Sequence, residues 1–453
     1  MSIAPSLSPA KKQPGVFVHT FGCQMNAHDS QKILTLLGQE GYKAVETPED
    51  ADVILLNTCS VREKPEQKVL SAVGRYRLLK RTNPDLVIGV GGCFARQEGE
   101  NLLQRAPALD LVFGPDNIPE LPKMIEAVSE HHHRLTETTF DPAEDVRWLE
   151  IAPQVLPSSV TAMVTIMKGC DKFCSFCIVP HVRGRERYRP ASEIQDEVAK
   201  LASQGIREIL LLGQSVTSYR WLDPKGETWT LARLLRSLEG TPGLARLRFT
   251  SPYPRDFSDD LIACFGSLPS LCEHAHMPLQ SGSDRILFRM NRRHTRDQYL
   301  GWIEALRQRV PSIALTTDLI VGFPGEEESD FDDTMDLLER IRFDLVFSFK
   351  YSPRPHTPAA RKAQVSEDVK QRRLMTLQTR QNEISWEKNQ ALVGSIQEVL
   401  VEGLADKTEG FVVGRTRSHK IVQFAAPPSV IGQLVPARIT QGMLTALAAE
   451  MLE

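Results

Sequence analysis

Three cysteines lie close together in the stretch GCDKFCSFC, residues 169–177. Cys170, Cys174 and Cys177, called here the motif cysteines, form a C-x3-C-x2-C pattern, a short spacing at which thiolates hold metal. Structural zinc normally takes about four nitrogen or sulfur ligands, and His181 is near enough in sequence to be the fourth. An iron–sulfur cubane held by three thiolates instead leaves one iron open for a small molecule. The spacing alone leaves both centres open.

A second set of cysteines is spread along the first part of the chain. Cys23, Cys59 and Cys93, called here the N-terminal cysteines, are 36 and 34 residues apart, which is the length of one strand–helix unit. Each follows a predicted parallel strand, and the carboxyl ends of such strands are where α/β sheets bind ligands. Cysteine is often simply buried, but three in equivalent positions favour a cluster. Cys264 and Cys272 have no such partners and are interpreted as structural.

The elements around the N-terminal cysteines alternate between strand and helix patterns. The predicted strands are short and nearly all apolar, as buried parallel strands are, and they span residues 16–20, 53–57 and 86–90. Helical patterns lie at 28–40 and 62–82, so the sequence predicts a parallel α/β sheet with right-handed crossovers. A Glu- and His-rich stretch at 129–145 breaks the pattern and is interpreted as a linker.

A second series of strands and helices begins just before the motif cysteines. Its predicted strands span 162–167, 207–213, 246–250, 271–277, 313–322 and 343–350. The helical patterns between them include 191–204, 256–266, 295–309 and 328–341. Six such units are too few for a closed eight-stranded barrel but suit a partial (β/α)6 barrel. A long polar helix at 366–391 leads out of it.

The end of the chain changes to short strands at hairpin spacing. The runs SIQEVLVEG, GFVVGRT, KIVQF and LVPARIT predict a small β-barrel. The predicted fold class is therefore α/β, with an N-terminal parallel α/β domain, a central partial barrel and a small C-terminal β-barrel. A length of 453 residues agrees with about three domains.

Composition is that of an ordinary globular protein, with 41% hydrophobic and 25% charged residues. No apolar run approaches the ~18 residues of a membrane span. Residues 1–15 lack the apolar core of a signal peptide and are predicted to be disordered. We therefore expect a cytoplasmic protein with reduced thiols and no membrane partner.

Basic residues cluster locally although the net charge is −3. That charge excludes a uniformly basic surface, so RNA would have to be held by patches, here residues 181–189, 289–296 and 411–424. One patch alone is usually a solvated surface, but three favour RNA binding. The candidate phosphate-binding residues are Arg183, Arg185, Arg187, Arg189, Arg415, Arg417 and Lys420.

Several stretches together identify a family. They are FGCQMNAHDS, LLNTCSVREK, IGVGGCFARQEGE, KGCDKFCSFCIVPHVRGRERYRP, LLLGQSV, MPLQSGSD, DLIVGFPGE and GRTRSHKIVQF. Over about residues 16–440 the chain resembles the radical S-adenosylmethionine (SAM) methylthiotransferases. CQMN, NTCSVREK and GRT-x-x-x-K-x-V-x-F favour the branch that acts on N6-isopentenyladenosine in tRNA. The resemblance implies a methylthiotransferase domain with linker (1–145), a radical SAM core (146–390) and an RNA-binding TRAM domain (391–453).

The resemblance also implies two 4Fe–4S clusters and two SAM molecules per turnover. The motif cysteines would hold the SAM-binding cluster, and the N-terminal cysteines an auxiliary cluster that carries the sulfur. One SAM would methylate that sulfur. The other would yield a 5′-deoxyadenosyl radical that removes the hydrogen from C2 of the adenine at tRNA position 37. The implied partners are the tRNA anticodon stem-loop and a reducing protein such as a flavodoxin or ferredoxin.

Other residues receive roles only through the resemblance. Phe173 and Phe176 would shield the SAM-binding cluster, and the run VFSF (346–349) is a candidate wall for the prenyl group. The backbone around Gly213 would meet the SAM amino group, and the glycines of DLIVGFPGE would permit close approach of SAM. The predicted SAM contacts are Gly213, Gln214, Asp318, Gly322, Phe323 and Pro324.

The chain departs from the family pattern at two strand ends. Ser215, Val216 and Thr217 stand where the family usually has Asn-Val-Asn, and Pro252, Tyr253 and Pro254 where Ser-His-Pro is common. Within the family, the alternative substrates are N6-threonylcarbamoyladenosine in tRNA and an aspartate of a ribosomal protein. Outside it, the alternative is a non-enzymatic metal-binding protein that binds RNA.

Overall fold

The computed structural model describes residues 13–60, 63–139, 148, 159–406 and 408–452. The chain forms two compact units, one ending at Gln154 and the other beginning at Val155. Most of the N-terminal stretch predicted to be disordered, residues 1–12, lies outside the described residues. No helix in the described ranges is both long enough and apolar enough to cross a membrane.

The first unit is a parallel sheet covered by helices. Its strands are β1 (Gly15–Thr20), β2 (Lys43–Ala44), β3 (Val53–Thr58), β4 (Val87–Gly92), β5 (Leu111–Phe113) and β6 (Leu135–Glu137). Its helices are α1 (Gln24–Gln39), α2 (Glu63–Tyr76), α3 (Cys93–Glu98), α4 (Asn101–Arg105) and α5 (Leu121–His131), with 3-10 turns at Pro48–Asp50, Leu79–Arg81 and Pro115–Glu120. The strand order is β2-β1-β3-β4-β5-β6, and all neighbours are parallel.

Both faces of this sheet are buried, which explains why most residues of its central strands are apolar. On β3, Ile54 and Leu56 belong to one hydrophobic cluster, together with Val69 of α2. Val53 and Leu55 point to the other face and join a cluster with Ile33 of α1. Alternate side chains of one strand thus enter two separate cores, as expected for a sheet between helix layers.

Part of the predicted linker at 129–145 is ordered. Residues 129–131 complete α5, and β6 adds an edge strand that pairs with β5. Arg134 holds this edge because its Nε donates to the carbonyl of Leu109 at 2.8 Å. A strand of this length carries too little pattern to be predicted. Residues 140–145 lie outside the described residues.

The second unit begins with the predicted strand–helix series. Its strands are β7 (Thr161–Thr165), β8 (Met167–Lys168), β9 (Arg187–Tyr188), β10 (Glu208–Leu212), β11 (Arg220–Leu222), β12 (Thr228–Thr230), β13 (Arg246–Phe249), β14 (His274–His276), β15 (Ala314–Val321) and β16 (Leu345–Lys350). Its helices are α6 (Val179–Val182), α7 (Ala191–Ser203), α8 (Leu231–Leu238), α9 (Asp259–Cys264), α10 (Asp284–Arg289), α11 (Arg296–Arg309), α12 (Glu328–Ile341) and α13 (Glu367–Gln390). Short 3-10 turns lie at Val216–Ser218, Pro254–Asp256, Pro358–Arg361 and Pro428–Val430.

The six predicted strands of this series are all present and form a partial barrel. β7, β10 and β13 make one parallel set, and β14, β15 and β16 make a second. A parallel bridge between Leu247 and Leu271 joins the two sets in sequence order. The predicted (β/α)6 architecture is confirmed. The hairpins β8–β9 and β11–β12 were not predicted, because strands of two or three residues carry no period.

The C-terminal segment closes into a five-stranded barrel. Its strands are β17 (Ile396–Leu404), β18 (Phe411–Thr416), β19 (Ile421–Ala425), β20 (Leu434–Gly442) and β21 (Leu447–Met451), in the order β17-β18-β19-β21-β20. The predicted small β-barrel is confirmed, but β21 was missed. Its sequence, LAAEM, consists of helix-favouring residues. Pairing with β19 and β20 overrides that preference.

Two buried arginines on β13 attach the C-terminal barrel to the partial barrel. Arg248 donates to the carbonyls of Thr416 and Arg417 at 2.8 and 2.9 Å, in the turn between β18 and β19. Arg246 donates to the carbonyl of Arg415 at 2.7 Å. Glu208, itself buried, accepts from Nε of Arg248 at 2.9 Å and compensates its charge.

Side chains of the same turn also contact the partial barrel. Arg417 pairs with Glu273, with Nε 2.6 Å from the carboxylate. The ring of His419 stacks on that of His274 at 5.1 Å between centroids. Burial lowers the pKa of His419 to about 3, and burial also lowers the pKa of His274. Both rings therefore remain neutral at neutral pH and stack without repulsion.

Arg248→Ala should loosen this attachment. The substitution leaves Glu208 buried without its closest cation and two turn carbonyls without a donor. Breaking such a buried pair costs about 3–5 kcal/mol. Hydrogen exchange should therefore accelerate in β18, β19 and their turn. The control is Arg236→Ala, which removes an exposed pair with Asp260 and should cost at most about 1 kcal/mol. Equal protection of the turn in both variants would contradict this account.

Candidate active site

The N-terminal cysteines follow three neighbouring strands, as the sequence predicted. Cys59 comes directly after β3 and Cys93 directly after β4, while Cys23 is the N-cap residue of α1 in the loop after β1. Cys59 and Cys93 are buried, and Cys23 is exposed. The N-terminus of α1 carries partial positive charge, which favours an anionic sulfur at that position.

Two glycines let the three strand ends approach one another. Gly22 has φ +127°, and a Cβ there would lie 2.3 Å from the Cβ of Cys59. Gly92 has φ +91°, and a Cβ there would lie 2.4 Å from the carbonyl oxygen of Thr58. Both approaches exclude a side chain, so these two glycines are required by the way the cysteine-bearing loops pack.

A buried amide network supports the loops. Asn57, the penultimate residue of β3, donates through Nδ2 to the carbonyl of Asn26 at 2.8 Å and to Ser30 at 2.9 Å. Asn26 in turn donates to the carbonyl of Thr58 at 2.9 Å, and its Oδ1 lies 3.3 Å from Sγ of Cys23. The network therefore ties the turn after β1 to the end of β3.

The motif cysteines lie in the loop after β8, at the carboxyl end of the first barrel strands. Cys170 and Cys174 are buried, and Cys177 is partly so. Burial, with a smaller contribution from the neighbouring thiols, raises the pKa of Cys170 and of Cys177 to about 12 each. Metal ligation needs thiolates, so cluster binding at this loop must release protons.

A buried arginine faces the motif cysteines. Nη1 of Arg292 lies 3.7 Å from Sγ of Cys174, and Nη2 donates to the carbonyl of Pro278. The guanidinium also stacks over the ring of Tyr253, 4.7 Å from its centroid. Nζ of Lys172 lies 5.1 Å from the same centroid. The guanidinium of Arg292, a residue only 5% exposed, thus lies beside one thiol of the motif.

The stretches 215–217 and 252–254 contact each other beside Arg292. Oγ1 of Thr217 accepts from the backbone N–H of Tyr253 at 2.8 Å and lies 3.2 Å from its carbonyl oxygen. The hydroxyl of Tyr253 donates to the carbonyl of Arg292. Ser215 is buried and bonded to the hydroxyl of Ser218 at 2.7 Å. Thr217 therefore supports Tyr253, which in turn holds the backbone of Arg292.

Gln214 lies beside the start of the motif loop. Its Oε1 accepts from the backbone N–H of Gly169 at 2.6 Å. Its Nε2 is buried and has no partner in the described residues. At Gly213 a Cβ would lie 2.5 Å from the Met167 side chain, so that glycine is required by packing. An unpaired buried amide donor beside the cysteines fits a polar ligand such as SAM.

The DLIVGFPGE segment forms the end of β15 and the turn after it. Gly322 has φ +69°, and a Cβ there would lie 2.3 Å from the side chain of Lys370 on α13. Packing therefore accounts for this glycine. Phe323 is buried against Tyr351. Asp318 lies within β15, with its carboxylate 3.4 Å from Nε2 of His276.

The two aromatics of the motif loop have different environments. Phe173 is 45% exposed, and the guanidinium of Arg185 lies 5.7 Å from its centroid. Phe176 packs edge-on against Phe323 at 6.4 Å. Of the predicted pair of shielding residues, only Phe176 lies in a packed position.

Sets of three thiols have the ligand chemistry of iron–sulfur clusters, which cysteine thiolates hold. In the described ranges, no three His, Cys, Asp or Glu side chains are close enough together to hold a single metal ion. The ring of His181, the proposed fourth zinc ligand, lies 6.2 Å from that of His356. A four-iron cluster does not require its ligands to meet at one point, because each thiolate binds a different iron. Cys264 and Cys272 are fully buried elsewhere in the unit, as predicted for structural residues.

The first predicted RNA-binding patch is mostly not on the surface. Arg183 and Arg189 are buried, and Arg189 pairs with Glu193 and Glu197 of α7. Arg187 is half-buried in β9. Arg185 is 66% exposed, although it pairs with Asp171. Among the four arginines predicted to contact phosphates, Arg185 is therefore the best placed.

The other two patches are also largely engaged within the protein. Arg415 pairs with Glu402, Arg417 with Glu273 and Lys420 with Asp344. In the stretch 289–296, Arg292 faces the motif cysteines, and Arg296 pairs with Asp333 and Asp336 of α12. Sequence reasoning missed Arg292 as a site residue because nothing local distinguishes it from its exposed neighbour Arg293.

Arg292→Gln should make the reduction potential of the SAM-binding cluster more negative by roughly tens of millivolts, because net charge and hydrogen bonds to sulfur set cluster potentials. Arg292→Lys should recover part of the shift. Arg293→Gln, an exposed neighbour, is the matched control. The measurement is an anaerobic redox titration followed by electron paramagnetic resonance. The same potential in the glutamine variant and the control would remove Arg292 from the site.

Comparison with known proteins agrees with this geometry. Residues 15–114 match a model described as the uncharacterised protein family UPF0004, residues 164–338 match the radical SAM superfamily and residues 390–452 match the TRAM domain. Among solved structures, the radical SAM methyltransferase TsrM from Kitasatospora setae aligns with a TM-score of 0.56 at 15% identity, covering 77% of this chain and 75% of that one. That likeness concerns the fold alone.

Two relatives align with almost the whole chain. The protein from Geobacter sulfurreducens is 48% identical, and the alignment covers 96% of this chain and 97% of that one. The protein from Syntrophus aciditrophicus is 46% identical, with 96% and 94% covered. Both are named tRNA-2-methylthio-N(6)-dimethylallyladenosine synthase. With its radical SAM core, which implies a 4Fe–4S cluster and SAM, this chain therefore belongs to the radical SAM methylthiotransferase family, in the branch of the tRNA-2-methylthio-N(6)-dimethylallyladenosine synthases.

Proposed function

We propose that this enzyme transfers a methylthio group to C2 of N6-isopentenyladenosine at position 37 of tRNA, beside the anticodon. One observation carries the proposal: the chain holds two separate sets of three cysteines, each at the carboxyl ends of parallel strands. The motif cysteines alone would suffice for SAM cleavage. A second cysteine set would supply the place for a sulfur donor, and the name shared by the relatives indicates the substrate.

The proposal includes two clusters, two SAM molecules per turnover and a flavodoxin or ferredoxin as reductant. It divides the chain into a methylthiotransferase domain with linker (1–145), a radical SAM core (146–390) and a TRAM domain (391–453), in the cytoplasm. When bound, the clusters would supply the electron that cleaves SAM and the sulfur that is transferred.

The chain's own residues would bind and orient the clusters and SAM. The motif cysteines would hold the SAM-binding cluster, and Arg292 beside Cys174 would balance part of its negative charge. The buried Nε2 of Gln214 would donate to a polar group of SAM. In the first unit, Asn26 and Asn57 would keep the loops of Cys23 and Cys59 in register.

The prenyl group requires an apolar wall, and β16 offers one. Phe347 is 44% exposed although it lies in a strand. Its ring stands edge-on to His276 at 5.9 Å, and it is in register with Asp318 of β15. An apolar ring beside an imidazole and a carboxylate suits a base with an apolar substituent. A base can reach such a site only when it has left the anticodon-loop stack.

RNA binding by the C-terminal barrel is better tested by point substitutions than by deletion. Removing residues 391–453 would expose Arg246 and Arg248, which are buried against that barrel. A deletion would therefore damage the radical SAM core as well as remove the TRAM domain. Arg185 and the exposed Arg438 on β20 are the basic residues best placed for contact with phosphates.

Substitution of one cysteine from each set should separate the two clusters. Cys174→Ala should abolish cleavage of SAM to 5′-deoxyadenosine. Cys59→Ala should retain cleavage, lose the methylthiolated product and hold about half the iron. The matched control is Cys264→Ala, at a buried cysteine outside both sets, which should keep both activities. Loss of SAM cleavage in a folded Cys59→Ala protein that still holds its other cluster would contradict the division of roles.

The substrate is tested by deleting the gene in its host and analysing nucleosides from digested tRNA by mass spectrometry. Loss of the methylthio-isopentenyl nucleoside with accumulation of its isopentenyl precursor is expected. In vitro, tRNA lacking the prenyl group should react at least about tenfold more slowly, because an apolar pocket stays unfilled. If instead the threonylcarbamoyl nucleoside or a ribosomal aspartate lost its methylthio group, the assignment to this branch would be wrong.

A further inference from the structure

We propose that a small acidic electron carrier docks on the surface formed by Phe288, Arg289, Arg293, Arg361 and Lys362, called here the Phe288 face. The carrier would be of the flavodoxin or ferredoxin class, and it would reduce the SAM-binding cluster from this side. This inference rests on the proposed function, since only a reductively cleaved SAM requires such a partner.

The centre of the face is an apolar side chain that the fold does not use. Phe288 on α10 is 85% exposed. On the same helical segment, Ile286 and Met290 are fully buried in a cluster with Phe323 and Tyr351. Residues four apart share one side of a helix, so Phe288, midway between them, points to the opposite side. A single exposed ring is common on protein surfaces, so its surroundings decide its meaning.

Those surroundings are mainly basic, and the exposed Asp284 on the same side of α10 accepts from the backbone N–H of Arg296 at 2.6 Å. Arg289, Arg293, Arg361 and Lys362 are all exposed. Within the described residues none of the four has a carboxylate partner, whereas nearby Arg285 is paired with Asp330. An apolar centre with a charged rim is the usual anatomy of a protein–protein interface. In a chain of net charge −3, this local excess of positive charge complements an acidic partner.

The face lies directly against the loop that carries the motif cysteines. Ser175, between Cys174 and Cys177, both donates and accepts hydrogen bonds with residues adjoining the Phe288 face. Its backbone N–H donates to the carbonyl of Met290 at 3.0 Å, and its hydroxyl donates to that of Arg289 at 2.8 Å. Its own carbonyl accepts from the N–H of Ala359 at 2.9 Å. Few atoms therefore separate the face from the cysteines, and electron transfer weakens steeply with distance.

A cavity of about 420 Å3 opens beside the face. Ser175, Arg289, Pro324, Pro358 and Lys362 are among its lining residues, and no carboxylate lines it. Phe323 also contributes to the lining, so the cavity borders the apolar layer that covers the end of β15. Its two charged lining residues, Arg289 and Lys362, are basic and suit an acidic loop of a docked carrier.

The position favours an electron carrier over RNA. The reacting base must reach the strand ends, where Gln214 lies. The apolar layer of Ile286, Met290 and Phe323 packs α10 against β15, whose Ile320 borders the same layer. A partner on this face therefore lies against the motif loop, which contacts Arg289 through the hydroxyl of Ser175. That arrangement suits a protein that delivers electrons and not one that delivers a base.

The test compares two reductants on the holoenzyme. Phe288→Asp and the double variant Arg361→Glu/Lys362→Glu are assayed for 5′-deoxyadenosine formation with either dithionite or enzymatically reduced flavodoxin. With flavodoxin, the rate should fall about tenfold or more, and added salt should slow the unmodified protein as well. With dithionite, which needs no docking, the rates should stay within about twofold. Leu222→Asp and Arg309→Glu, both at exposed positions outside the face, are the matched controls.

Unchanged flavodoxin-driven rates in both face variants would overturn the proposal. Equal losses with both reductants would also overturn it, because they indicate damage to the motif loop. If the variants bound tRNA more weakly while flavodoxin-driven cleavage persisted, the face would be an RNA surface instead. Failure of the unmodified holoenzyme to cleave SAM even with dithionite would refute the proposed function itself, and the docking proposal with it.

Discussion

The arrangement of the whole molecule depends on one geometric property of parallel sheets: the carboxyl ends of neighbouring strands meet at one edge. Cysteines placed after β1, β3 and β4 become neighbours there although dozens of residues separate them in sequence. The cost is crowding at that edge. Gly22 and Gly92 remove two side chains from it, and the side chains of Asn26 and Asn57 donate to the backbone carbonyls of Thr58 and Asn26.

In the second unit, buried arginine side chains donate to backbone carbonyls, as asparagine side chains do in the first unit. Arg246 and Arg248 bind carbonyls of the turn between β18 and β19, and Glu208 compensates their charge. A buried guanidinium can satisfy several acceptors in one plane, which makes it suited to hold a turn against a sheet. The conformation of the C-terminal barrel is therefore coupled to the floor of the partial barrel by charge-assisted hydrogen bonds.

Arg292, at the other end of the barrel strands, is a further buried arginine that donates to a backbone carbonyl, that of Pro278. Its guanidinium lies between the ring of Tyr253 and the sulfur of Cys174, and the backbone of Arg292 is held by the hydroxyl of that tyrosine. Thr217 holds the backbone of Tyr253 in turn. Thr217, Tyr253 and Arg292 thus form one connected chain of contacts that ends beside Cys174.

The sequence by itself determined the strand–helix order, the six barrel strands and the placement of both cysteine sets, because these depend on local hydrophobic period and on motif spacing. It also indicated the C-terminal barrel, apart from β21, whose pairing overrides its composition. Tertiary structure alone decided which arginines face inward. Arg185 and Arg189 are alike in sequence context, yet one is exposed and the other pairs with α7. The direction of a long charged side chain depends on distant acceptors that no local pattern records, so the sequence predicted basic patches where the fold forms ion pairs.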